Sequence, residues 1–185
     1  MESTKIHLTP ELFAPAESSS FAGSFELPEL KMGPDTYTFA EPLRWDVDIT
    51  NTAGALLVTG TVRGIGTTEC ARCLDPFDLD VLGDVEGFFV IEEDARPEDM
   101  DEDEFEFLSE DHIIDLAPLL QAAILVDVPM MPLCRDDCRG ICPDCGANLN
   151  VEECGCAQER ARQAAEDEAA SNPFAALAQL KFDEQ

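Results

Sequence analysis

With 185 residues, 45% of them hydrophobic and 11 of them Phe, the chain is long enough for one sizeable domain, or a domain with appendages, around a real core. Forty acidic residues against eleven Lys and Arg give a formal net charge of −29, which repels a phosphate backbone at long range and excludes nucleic-acid binding by general electrostatics. Basic proteins are the partners such a field attracts.

The amino terminus, MESTKIHLTPELFAPAE, shows no basic n-region followed by an apolar h-region, so no secretion signal is expected and a reducing cytoplasm is the expected compartment. Residues 1 to 35 mix short apolar stretches with Pro10, Pro15, Pro28, Pro34 and a serine run, which fits strand pieces and a loose connection better than a long helix. From Tyr37 the pattern changes. Leu43, Trp45, Val47 and Ile49 alternate with Arg44, Asp46, Asp48 and Thr50, the period of a half-buried strand. Asn51-Thr52-Ala53-Gly54 is a turn signal and Ala55 to Val62 a second strand, so the pair reads as an antiparallel hairpin. Gly64 and Gly66 are expected to loosen the chain before Cys70. Phe77 to Val81 and Val85 to Ile91 then read as two further strands. A meander, curled or closed into a small barrel, is the simplest home for them.

From Glu92 to Asp111 the chain carries twelve acids and one Arg. Such a run is a solvated loop or a docking segment for a basic partner, with Phe105, Phe107 and Leu108 available to anchor it on the domain or on that partner. Asp115 is placed to cap a helix through Leu116, Leu119, Leu120, Ala123 and Ile124, with Pro118 in its first turn. That helix is almost wholly apolar and is expected to be buried against the sheet. It must end before Pro129 and Pro132, which lead in extended form to Cys134. Residues 157 to 170 are rich in helix formers without an apolar stripe, so they predict an exposed helix; Asn172-Pro173 opens a last short one with Phe174, Leu177 and Leu180 on one face.

The stretch CRDDCRGICPDCGANLNVEECGC, from Cys134 to Cys156, holds six of the eight cysteines and no long apolar run, so something other than a hydrophobic core must fold it. Cys142-Pro143-Asp144-Cys145-Gly146 has the form of a zinc knuckle, two thiolates across a tight turn that Gly146 leaves with positive φ. Cys154 and Cys156 supply the second pair of a closed tetrathiolate site. Cys134 and Cys138 then remain for Cys70 and Cys73 of ECARCLDPF, which predicts a second zinc site tying an early segment to a late one. Disulfides are the alternative for an even count, but cysteines one to three residues apart are poor disulfide partners and good joint ligands.

Nothing in the sequence assembles an active site. Both zinc sites are expected to be closed, whereas a catalytic zinc keeps an open position; the two histidines, His7 and His112, have no nucleophile near them in sequence. The chain is therefore expected not to be an enzyme, and no small-molecule substrate or membrane contact is expected. Arg72, Arg135 and Arg139 lie in or beside cysteine pairs, where they either compensate the thiolate charge through hydrogen bonds around the metal or form a small basic face able to touch RNA phosphate. The expected architecture is α+β and mainly antiparallel β, a meander or small open barrel with one buried helix and a C-terminal zinc-bound module. Its parts are a β domain at 1–127 with the acidic loop 92–111 and helix 115–127, a zinc-binding module at 128–156, and a helical tail at 157–185.

Taken in order, ECARCLDPF, the apolar helix between DLAPLL and DVPMMPLC, CRGICPDCGANLN, CGC and NPFAALAQL resemble the YceD-like family of large ribosomal RNA subunit accumulation proteins, over residues 43 to 182. The resemblance implies a cytoplasmic, non-enzymatic protein needed for large-subunit ribosomal RNA to accumulate, and so a role in ribosome biogenesis. Its partner would be that RNA or a pre-ribosomal particle, reached directly or through a basic ribosomal protein. The acidic run is heavier than the family pattern requires. An acidic chaperone or escort for one basic ribosomal protein is the alternative function.

Overall fold

The computed structural model describes residues 4–92, 101 and 105–171, the side chains of 168–171 excepted. The chain divides into two compact units: one holds the chain up to Cys70 and from Asp75 to Cys134, the other holds Ala71–Leu74 and the chain from Arg135 on.

The first unit is built on antiparallel sheet. The strands are β1 (Lys5–His7), β2 (Ser18–Phe25), β3 (Glu29–Met32), β4 (Asp35–Thr38), β5 (Leu43–Asn51), β6 (Ala55–Glu69), β7 (Pro76–Val90), β8 (Glu106–Phe107) and β9 (Ile113–Asp115). β1 and β9 form a two-stranded sheet, and the other seven form one open sheet centred on β6. β6 pairs with β7 along its whole length; on its other edge it pairs with β5 from Leu56 to Arg63 and with β4 at Thr67. The sheet does not close into a barrel.

The β5–β6 hairpin follows the alternation in the sequence, with Leu43, Trp45, Val47 and Ile49 all buried. At its turn Ala53 takes a φ of 61°, and Asn51 holds it there: its side-chain carbonyl accepts the Ala53 N–H at 2.9 Å while its amide donates to Leu12 O at 2.9 Å. Two expectations are corrected in the next strands. β6 runs unbroken through Gly64 and Gly66, because the missing side chains make room for neighbours: a Cβ at Gly64 would meet Leu43 Cδ2 at 2.3 Å, and one at Gly66 would meet Phe39 Cε1 at 3.0 Å. Likewise β7 is one fifteen-residue strand and not two. Its apparent break at Gly83 is the seat of a helix, since a Cβ there would lie 2.6 Å from the Ala123 carbonyl. Gly83→Ala should therefore cost about 1–3 kcal/mol by overpacking; an unchanged midpoint in urea unfolding would show that the helix can be pushed away freely.

The helix, α1 (Ala117–Asp127), begins later than expected. Asp115 belongs to β9, yet its carboxylate still receives the first helical N–H, that of Ala117, at 3.0 Å. The helix is apolar but for Gln121 and Asp127, and it is buried on one face only. Leu120, Ala123 and Ile124 pack into the core, while Leu125 and Val126 are 44% and 87% exposed. Beyond α1 the buried Tyr37 donates its hydroxyl to Pro129 O at 2.6 Å, which holds the Pro-containing segment on its way to Cys134.

Most of the acidic run lies outside the described residues, as does the short helix expected at 174–180. The end of the run is anchored on the domain: Phe105 is buried, Leu108 packs on the core, and β8 lies parallel to the end of β7, with Leu108 N–H donating to Val90 O at 2.9 Å. Phe107 faces outward at 57% exposure.

Candidate metal centres

The second unit folds around two cysteine turns with little apolar material to bury. Its early piece, Ala71–Leu74, comes from the turn between β6 and β7, closed by Cys70 N–H on Asp75 O at 2.9 Å, with Leu74 at a φ of 63°. Arg72 stitches this piece to the late sequence in both directions. Its carbonyl accepts the Ile141 N–H at 3.1 Å, and its guanidinium donates to the carbonyls of Cys138 at 3.0 Å and Asp136 at 3.3 Å. Gly140 makes this approach possible, having a φ of 74° and a Cβ position only 3.0 Å from the Arg72 carbonyl.

The knuckle from Cys142 is a short hairpin-like turn. Cys142 N–H donates to Ala147 O and Gly146 N–H to Cys142 O, both at 2.8 Å, and Gly146 has the positive φ expected of it, 75°. Asn150 has no role in the sequence reading, and the structure gives it a central one. Its amide donates to Cys138 Sγ at 3.4 Å and to Asn148 Oδ1 at 3.0 Å, while its own carbonyl oxygen takes the Arg139 N–H at 2.8 Å. The cue was present in GANLN, a turn with two Asn. Such side chains serve to fix loop backbone and to donate to thiolate.

The eight cysteines come together in the two expected groups. The sulfurs of Cys70, Cys73, Cys134 and Cys138 lie within 4.8 Å of one another, as do those of Cys142, Cys145, Cys154 and Cys156. Four thiolates at about 2.3 Å from one tetrahedral metal would be about 3.8 Å apart, a spacing that falls inside this bound. None of the eight is joined in a disulfide. Among the described residues no histidine or carboxylate joins either group. His112 instead stacks near Phe13, the ring centres 4.6 Å apart.

The second group has the acid–base character of a cation site. Cys142 is drawn down to about 7, chiefly by the backbone N–H groups of Cys145 and Asp144, whereas Cys156 is pushed up to about 12 by its hydrogen bond with the Cys145 sulfur. Cys154 is raised by its bond with the Cys142 sulfur. Cys142 thus forms a thiolate readily while Cys154 and Cys156 hold their protons more tightly, so an ion held here must displace protons from those two and competes with protons as the pH falls. Cys156 opens α2 (Cys156–Ser171), an exposed helix as expected, and Arg160 on it pairs with Asp144 inside the knuckle.

The three arginines part company here. Arg72 is spent on loop carbonyls. Arg135 and Arg139 are exposed, each beside an exposed carboxylate, Asp137 at 3.4 Å and Glu153 at 3.8 Å, pairs worth about 0–1 kcal/mol that a stronger anion could replace.

A family model described as "Large ribosomal RNA subunit accumulation protein YceD" matches residues 58–181, more than half the chain and all eight cysteines. The chain belongs to the YceD family. Among the curated relatives, an uncharacterized protein of Mycobacterium tuberculosis (strain ATCC 25618 / H37Rv) is 36% identical over 107 residues, 58% of this chain and 51% of that protein. One from Mycobacterium leprae (strain TN) is 32% identical over 111 residues, 60% and 51% of the two chains. The chloroplastic large ribosomal RNA subunit accumulation protein YCED homolog 1 of Zea mays is 30% identical over 142 residues, 62% and 48%. The chain spans about half the length of the curated relatives it matches. No solved structure matches it. Among the described residues no helix is long and apolar enough to cross a membrane.

Proposed function

We propose that this YceD-family chain is a cytoplasmic, non-enzymatic zinc-binding factor that supports the accumulation of large-subunit ribosomal RNA, and with it ribosome biogenesis. The observation that carries the reading is the family match over residues 58–181. Two all-cysteine groups fit structural zinc, since such sites are closed and leave no position for a substrate or an activated water. Zinc here would organise loops that have no hydrophobic core of their own.

The net charge of −29 supports a second reading, in which the protein shields a basic ribosomal protein before delivery. Purification of the tagged protein with and without RNase separates the two. Association with large-subunit particles that is lost on RNase treatment supports the first reading, and a one-to-one complex with a basic protein that survives RNase supports the second. Any RNA contact should run through Arg135 and Arg139, with a shallow salt dependence of roughly two or three phosphates. Arg135→Glu with Arg139→Glu should abolish RNA-dependent association and spare a protein complex. RNA binding that ignores both arginines would contradict the first reading as stated.

A further inference from the structure

Among the described residues the outer edge of β7 is open over most of its length. β6 takes one edge of the strand from Pro76 to Val90, but on the other only Phe89 and Val90 are paired, with β8, among the described residues. The even-numbered residues of β7 turn their backbone groups to this outer edge. Leu82 N–H reaches the Asp127 carboxylate at 3.0 Å, and Val90 O receives the Leu108 N–H. Asp84 and Glu86 lie between these two points, with backbone groups that take no strand partner among the described residues.

Beside this edge, between β7 and α1, runs a groove of about 400 Å³ lined by Leu82, Asp84, Glu86, Leu119, Ala122 and Val126. Leu82 and Val126 are 56% and 87% exposed. Gly83 and Gly87 seat α1 on one face of β7, so strand alternation puts the Asp84 and Glu86 side chains on the other, exposed face. Acidic side chains on an open edge also protect against edge-to-edge association, but protection calls for no exposed apolar helix surface beside them. A strand of alternating basic and apolar residues suits this edge, its basic side chains beside the two carboxylates and its apolar ones toward Leu119, Ala122 and Val126. The edge already accepts one parallel strand, β8, at its end.

We propose that the groove between the β7 edge and α1 binds an extended, lysine- or arginine-bearing segment of a partner protein, added as a strand at Asp84 and Glu86. Those two side chains are two residues apart on one face, so basic residues at alternate positions of the added strand would sit about 4.5–5.5 Å from them. The site concerns a protein contact and goes beyond the ribosomal RNA role, which stands whether or not this contact exists.

The test uses the full metal-loaded chain and a fluorescent peptide of alternating Lys and Val, followed by anisotropy. Asp84→Lys with Glu86→Lys should weaken binding at least about tenfold, and Ala122→Trp, which fills the groove without changing charge, should do the same. Glu26→Lys with Glu29→Lys makes the same charge change at and beside β3, which reaches β6 only through β4 at Thr67, and should weaken binding no more than about threefold. A peptide N-methylated at alternate amides should not bind, a result that needs no variant to fold. Equal loss from the β3 and β7 charge reversals, an Ala122→Trp variant that binds normally, or tight binding of the methylated peptide would each overturn the proposal.

Discussion

Protein purified under reducing conditions without chelator should carry two zinc ions per chain, and loss of either ion should have unlike consequences. The ligands Cys142, Cys145, Cys154 and Cys156 lie in one short stretch, so Cys145→Ser should empty that group and unfold chiefly its own loop. Cys70, Cys73, Cys134 and Cys138 come from segments far apart in the sequence, and a metal clip that closes so long a loop constrains the unfolded chain strongly. Cys70→Ser should therefore cost several kcal/mol more in global stability, given that structural zinc contributes about 10–16 kcal/mol to the folding of small zinc peptides. Metal analysis with thermal unfolding of both variants checks this. One zinc or none in the parent protein, or equal losses of melting temperature in the two variants, would contradict it.

Truncating the helix core should have the next largest effect. Leu120 is fully buried and α1 is held to the first unit by few such side chains, so Leu120→Ala should cost about 2–5 kcal/mol, lowering Tm by about 2–4 °C for each. Val126→Ala on the exposed face of the same helix should change stability by less than about 0.5 kcal/mol. Matched losses from the two changes would mean that α1 is not seated by the face described.

The contrast between those two residues also marks what the sequence could and could not convey. An almost wholly apolar segment announces burial, but a helix with no polar side cannot say which face is inside; only the Gly83 and Gly87 seats on β7 decide that. The strand alternation from Leu43 to Ile49 was legible because one face of the sheet is solvated and the other is not. Glycine misleads at Gly64 and Gly66, since the same residue that loosens a strand also gives a neighbour room, and a linear pattern does not distinguish the two uses. The cysteines were legible as close pairs because the spacing within a pair is local, and Cys70 and Cys73 met Cys134 and Cys138 only by elimination across a long stretch of chain. For Asn150, the two Asn of GANLN mark a turn, but nothing in a linear pattern points from there to a sulfur twelve residues away. The open β7 edge was invisible as well, being a property of which strands fail to pair.

Placing the chain in the YceD family makes ribosomal RNA the quantity to measure. In cells depleted of the protein, the ratio of mature large-subunit to small-subunit ribosomal RNA should fall, and restoring the intact chain should recover it while a chain with Cys70→Ser should not. An unchanged ratio on depletion, with growth and protein loss verified, would contradict the proposed role.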